Sequence, residues 1–151
     1  SSSSYAAEYS SVAETITHYK DQIVTVKDMD EDARQLFTEN YKGQDPGIIK
    51  ADFNGDGKED VAILTKGRFY FLYARNNAKK LNYGGYAGFQ YIIPIQKGAL
   101  IEEFGGFDNK PPTPSVRLKN TAVHLIFFGK ASIAYYWDPK INNFSDITTG
   151  D

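Results

Sequence analysis

Residues 61–74 read Val61-Ala62-Ile63-Leu64-Thr65-Lys66-Gly67-Arg68-Phe69-Tyr70-Phe71-Leu72-Tyr73-Ala74, two β-branched and aromatic runs on either side of Lys66-Gly67-Arg68. Such residues favour strands because their side chains fill the pleated surface of a sheet. A short glycine-containing connector between two such runs is the signature of a hairpin. Each run is apolar at consecutive positions, so both of its faces need cover. The body of the molecule is therefore expected to be a sheet covered on both sides.

Towards the C-terminus the same signal recurs. Phe89 to Ile95, Val116 to Leu118, Ala122 to Phe128 and Ala131 to Trp137 read as strands, the last two joined by Gly129-Lys130. By composition, the stretches Asn76 to Gly88 and Gly105 to Pro114 read as surface loops. Towards the N-terminus the period changes. Tyr5, Tyr9, Val12, Ile16, Tyr19 and Ile23 fall three or four residues apart, which draws one apolar stripe along a helix. Asp30 to Tyr41 reads as a second helix, with Asp28 or Asp30 as N-cap, acidic residues in its first turn and Gly43 beyond its end. Ser1 to Ser4 reads as a flexible terminus. The expected fold class is α+β: two N-terminal helices, then an antiparallel meander of about six to eight strands, the number following from the turn spacing. A chain of 151 residues is one ordinary domain. Residues 1–151 are read as that single domain, with a helical part over 5–43 and a β part over 47–151.

Composition narrows the function classes. Lys and Arg total 17 against 19 Asp and Glu, a net charge of −2, so the concentrated positive field that a nucleic-acid binder needs is missing. Cysteine is absent, which excludes disulfides, thiol catalysis and zinc–thiolate sites. No run approaches the ~20 apolar residues of a membrane span. No basic segment followed by an apolar one opens the chain, so no signal peptide or lipid anchor is expected within it.

The chemistry sits just before the hairpin. Residues 52–60 read Asp52-Phe53-Asn54-Gly55-Asp56-Gly57-Lys58-Glu59-Asp60. Side-chain oxygens fall at positions 1, 3, 5 and 9, glycine falls at position 6, and position 7 contributes its backbone carbonyl whatever its side chain is. That spacing wraps Asp52, Asn54, Asp56, the Lys58 carbonyl and Asp60 around a hard cation, and the ion it suits is Ca2+. Asn-Gly and Asp-Gly also make metal-free turns. A plain turn, however, has no use for carboxylates at alternate positions, which repel one another without a cation. The twelfth position is Ile63, where an EF-hand has its bidentate glutamate, and a strand follows where an EF-hand has a helix.

Residues Ala51 to Leu64 resemble the calcium loop of the FG-GAP/VCBS repeats found in integrin-type propellers and many secreted bacterial proteins. The resemblance implies Ca2+ held by Asp52, Asn54, Asp56, the Lys58 carbonyl and Asp60 in a loop between two strands. Only one copy of the loop is present, and a propeller needs four or more blades. The likeness therefore implies a calcium loop and not a propeller. The segment Ser132 to Lys140 is similar to the ends of small single-copy bacterial proteins that carry this loop.

Other candidates carry less chemistry. His124 is out of phase with Val123, Leu125 and Phe127 in its strand, and a hydrolase would need it paired with a carboxylate from elsewhere. Gly84 to Gly88 lacks the Lys-Ser/Thr of a phosphate loop. The chain has 11 Tyr, 10 Phe and one Trp, and strand cores absorb most of these rings. Tyr83, Tyr86, Phe104, Phe107 and Trp137 remain as candidates for a partner-binding face. The resulting expectation is a secreted or periplasmic, calcium-binding, non-catalytic domain that acts by binding a protein or glycan. Its placement follows from the ~10⁻⁴–10⁻³ M calcium affinity of extracellular modules. A periplasmic inhibitor or immunity protein of a partner hydrolase is one alternative, and a hydrolase using His124 is the other.

Overall fold

A computed structural model of the chain describes residues 2–6, 11–67, 69–74, 77–104 and 115–150. In chain order its elements are β1 (Ser2–Ala6), α1 (Val12–Tyr19), α2 (Glu31–Asn40), β2 (Ile48–Ala51), β3 (Asp60–Leu64), β4 (Phe69–Ala74) and β5 (Asn77–Asn82). They continue with β6 (Gln90–Ile95), β7 (Leu100–Ile101), β8 (Val116–Arg117), β9 (Ala122–Phe127), β10 (Ala131–Asp138) and β11 (Asn143–Gly150). Two α-helices and antiparallel sheets make the class α+β.

The strands do not form one meander. They divide into a five-stranded sheet of order β1-β5-β4-β3-β2, a four-stranded sheet of order β11-β10-β9-β6 and a two-stranded ribbon β7-β8. The described residues hold eleven strands, more than the six to eight that the turn spacing suggests. The hairpin at 61–74 lies where the sequence puts it, with Val61 opposite Tyr73 and Leu64 opposite Tyr70.

Period-two alternation explains how the layers stack. On β3, Ala62 and Leu64 face a core shared with Ile92, Val123, Leu125, Tyr135 and Phe144 of the second sheet. Val61 and Ile63 face the other way, onto Tyr19, Val12 and Ile16 of α1. On the far side of the second sheet, Tyr91 and Ile93 pack against Ala33 and Phe37 of α2. The ribbon covers the rest of that side, with Ile101 and Leu118 on Ala122 and Ala134. Both faces of the paired sheets are thus covered, as the consecutive apolar runs require.

The helices differ in detail from the reading of the sequence. Helix α1 begins at Val12, with the Ser11 hydroxyl accepting the Glu14 amide at 3.1 Å as an N-cap. The apolar stripe continues through Tyr5, yet Ser2–Ala6 is a strand paired with β5, not a flexible end or a helical turn. Tyr9 lies outside the described residues. Ile23, at the other end of the stripe, has left the helix and bridges Thr65. There the Val24 backbone runs so close to Gly47 that a Cβ on Gly47 would sit 2.2 Å from the Val24 carbonyl oxygen. Asp30 occupies the N-cap of α2. Asp28 instead closes the turn before it, accepting the Thr25 amide at 2.8 Å, a bond that holds its carboxyl below the usual range. The stretch Asn76 to Gly88, read as loop, contains β5, while Asn76 itself and the loop Gly105 to Pro114 lie outside the described residues.

Candidate functional site

The pairing of Ala51 with Asp60 joins β2 and β3, so residues 52–59 form the loop between them. The loop is tied down by its own alternating side chains, each accepting backbone amides further along. Asp52 Oδ1 accepts Gly55 N and its Oδ2 accepts Gly57 N, both at 2.8 Å. Asn54 Oδ1 accepts Asp56 N at 3.2 Å, and Asp56 Oδ1 accepts Lys58 N at 2.9 Å. Gly55 is required twice over. Its φ is +79°, and a Cβ there would meet the Asn120 side-chain oxygen at 2.9 Å.

The closing residue is of a different kind. Asp60 is 0 % exposed, with Oδ2 accepting the Phe53 amide at 2.8 Å and Oδ1 lacking any hydrogen-bond partner. One carboxylate oxygen from each of Asp52, Asp56 and Asp60 lies within 4.8 Å of the others. Oxygens ~2.3–2.6 Å from one Ca2+ ion can be at most ~4.6–5.2 Å apart, so the three fit a common sphere. Burial pushes the Asp60 carboxyl up to about 6, and the charges of Asp56 and Asp52 add to the rise. The Phe53 and Asn54 amides pull in the opposite direction without cancelling it. Loop position 2 supplies the anchor, which the spacing of ligand types does not reveal. Phe53 is fully buried and stands edge-on to Phe144 of the second sheet, ring centres 6.1 Å apart. Its one signal in the sequence is an aromatic ring among polar residues.

Of the remaining loop residues, Asn54 is half-buried and Lys58 is exposed. Of the candidate partner-binding aromatics, Tyr83, Tyr86 and Trp137 are partly buried against the core between the sheets. The Tyr83 hydroxyl donates to the Thr65 carbonyl at 2.5 Å, and burial pushes the Tyr86 hydroxyl up to about 12. Trp137 packs edge-on to Phe144, ring centres 5.4 Å apart. Phe104 is 39 % exposed, and Phe107 lies outside the described residues.

His124 faces the α2 side of the second sheet. Its Nε2 is 2.7 Å from Thr149 Oγ1, which in turn is 2.8 Å from Ser132 Oγ. Burial lowers its pKa, so the ring is neutral at pH 7. Among the described residues no carboxylate hydrogen-bonds it, so none of these supplies the partner that would make it a strong base. Among the described residues no helix is long and apolar enough to cross a membrane. Comparison of the chain with protein-family models, curated proteins and solved structures finds no match.

Proposed function

We propose that residues 52–60 hold a Ca2+ ion and that the chain is an extracytoplasmic, calcium-stabilised binding domain without catalytic activity. The observation that carries the reading is the buried Asp60 carboxylate: its Oδ1 has no hydrogen-bond partner, and one of its oxygens lies within 4.8 Å of an oxygen from each of Asp52 and Asp56. A buried charge left unpaired is costly, and a cation would remove that cost for Asp60 while screening the repulsion among the three carboxylates. Flexible all-oxygen coordination suits Ca2+ better than Mg2+, which demands near-ideal octahedral geometry. An affinity in the extracellular-module range, ~10⁻⁴–10⁻³ M, is useful only where calcium is plentiful, which supports a secreted or periplasmic location. In this reading the ion holds the 52–60 loop in shape, and function lies in contact with a protein or glycan.

Thermal melting in calcium and in chelator tests the proposal. At a calcium concentration of about 100 Kd, the ion adds about 2.7 kcal/mol of stability. For a chain of this length that raises Tm by about 5–10 °C. Asp56→Ala and Asp60→Ala each remove that rise. Identical melting curves for the unsubstituted protein in calcium and in EGTA overturn it.

A further inference from the structure

Beside the metal loop lies a cleft of about 480 Å³, a volume typical of small-molecule sites. Trp137, Tyr136, Pro139, Val116 and Leu118 supply its apolar lining. Arg117, Lys119 and Lys140 place three cations around it. Lys119 and Lys140 are exposed, and neither ammonium group is paired with any described residue. Arg117 Nη1 donates to the Gly98 carbonyl at 2.9 Å, which leaves its other donors for a ligand. The one carboxylate among the lining residues, Asp138, is already engaged by its own turn. Its Oδ1 accepts the Lys140 amide at 2.9 Å and its Oδ2 accepts the Ser145 hydroxyl at 3.3 Å. Two carboxamides, Asn54 and Asn120, complete the lining on the side of the metal loop.

These groups ask for three features in one small ligand. An indole ring offers a face for a flat C–H surface. Lysines that no described residue pairs offer charge-assisted hydrogen bonds to a carboxylate. Carboxamides both donate and accept, which matches hydroxyl groups. We propose that the cleft binds an acidic sugar unit, a hexuronate, stacked on Trp137 with its carboxylate paired by Lys119 and Lys140. A neutral sugar lacks the carboxylate, and an inorganic anion lacks the face and the hydroxyls.

The metal loop reaches this cleft through Asn54, which stands between Asp52 and Asp56 in the chain. This coupling rests on the calcium reading above. Three carboxylates without a cation repel an anionic ligand, and a divalent ion cancels two of those charges. Calcium is therefore expected to tighten hexuronate binding.

Trp137 is the chain's one tryptophan, so a ligand-induced change in tryptophan fluorescence, read separately in calcium and in EGTA, comes from this wall of the cleft. The test is a titration with digalacturonate, with digalactose and inorganic phosphate as references, in calcium and in EGTA. Digalacturonate is expected to give a saturable change, and digalactose one at least about tenfold weaker. The double variant Lys119→Glu/Lys140→Glu is expected to bind at least about tenfold more weakly with its Tm unchanged, since both side chains are exposed. A flat response up to a concentration on the order of 10 mM overturns the site. So does a phosphate response equal to that of digalacturonate, or a double variant that binds like the original. If the cleft assignment fails, the calcium-dependent melt survives and this titration is flat. If the calcium reading fails, digalacturonate binds equally in calcium and EGTA, which overturns the coupling alone.

Discussion

Replacing Asp60 by Asn is expected to stabilise the metal-free protein while abolishing its response to calcium. An asparagine carbonyl can still accept the Phe53 amide that now bonds Oδ2 at 2.8 Å. Its NH2 group would then face the oxygens of Asp52 and Asp56, which lie within 4.8 Å of the present carboxylate, and repulsion would become attraction. The magnitude follows from titration. Burial moves the Asp60 carboxyl from 3.8 to about 6, and because the residue is 0 % exposed, solvent does little to dilute the effect. At about 1.4 kcal/mol per pKa unit, ionised Asp60 costs the metal-free fold about 3 kcal/mol. The folded pKa is the higher one, so the contribution to stability is fully present below pH 3.8 and is lost as pH rises through about 6. In EGTA at pH 7.5, Asp60→Asn should therefore melt about 5–10 °C above the original protein. Near pH 4 the gap should shrink to within about 1 kcal/mol, because both side chains are then largely uncharged in the folded state. Other titrating groups cancel in this comparison, since both proteins carry them. Circular-dichroism melts at the two pH values, with and without calcium, provide the measurement. A variant that is less stable than the original in EGTA at pH 7.5, or a gap that persists unchanged near pH 4, refutes the reasoning.

Further substitutions probe the rest of the account. Gly55→Ala forces a Cβ into a residue with φ of +79° and against Asn120 at 2.9 Å, so it should cost at least about 1–2 kcal/mol by thermal melting and weaken calcium binding. Phe37→Ala empties the seam between α2 and the second sheet, and should cost about 3–5 kcal/mol while leaving calcium affinity within about twofold, since the loop lies across the other face. His124→Ala removes the bond to Thr149 at 2.7 Å, and should cost about 1 kcal/mol and leave calcium binding intact; a large loss of turnover on any substrate would instead favour the hydrolase alternative. Burial lowers the folded pKa of His124, so the stability it contributes is present above 6.5 and lost as pH falls below that value. A variant with glutamine at 124 should show a flatter stability profile in that window.

What the sequence made legible follows from where each signal is stored. The hairpin at 61–74 and the spacing of Asp52, Asp56 and Asp60 are local patterns: the hairpin lies where the sequence puts it, and the three carboxylates come within 4.8 Å of one another. The limits of α2 were equally legible, because an N-cap and an acidic first turn are chemical marks on the chain itself. The stripe through Tyr5 misled because β1 is held by backbone pairing with β5, a partner more than seventy residues away. Strand β5, Asn77–Asn82, carries two lysines between two asparagines and so resembles loop by composition. The division of the strands between two sheets was not legible either. It depends on Phe53, Leu64, Leu125 and Phe144 meeting in one core, and no local pattern records which strand an apolar face will meet. The buried state of Asp60 belongs to the same class. Its position gave its type, and its burial, next to a Phe53 that is itself fully buried against Phe144, is a property of the packed fold.

Calorimetric titration of calcium into chelator-stripped protein at pH 7.5 tests the central claim most directly. The account predicts one site per chain with a Kd of about 10⁻⁴–10⁻³ M, weaker binding of Mg2+, and loss of the site in Asp60→Asn. No binding heat in that concentration range, or equal heats with and without the Asp60 carboxylate, would contradict it.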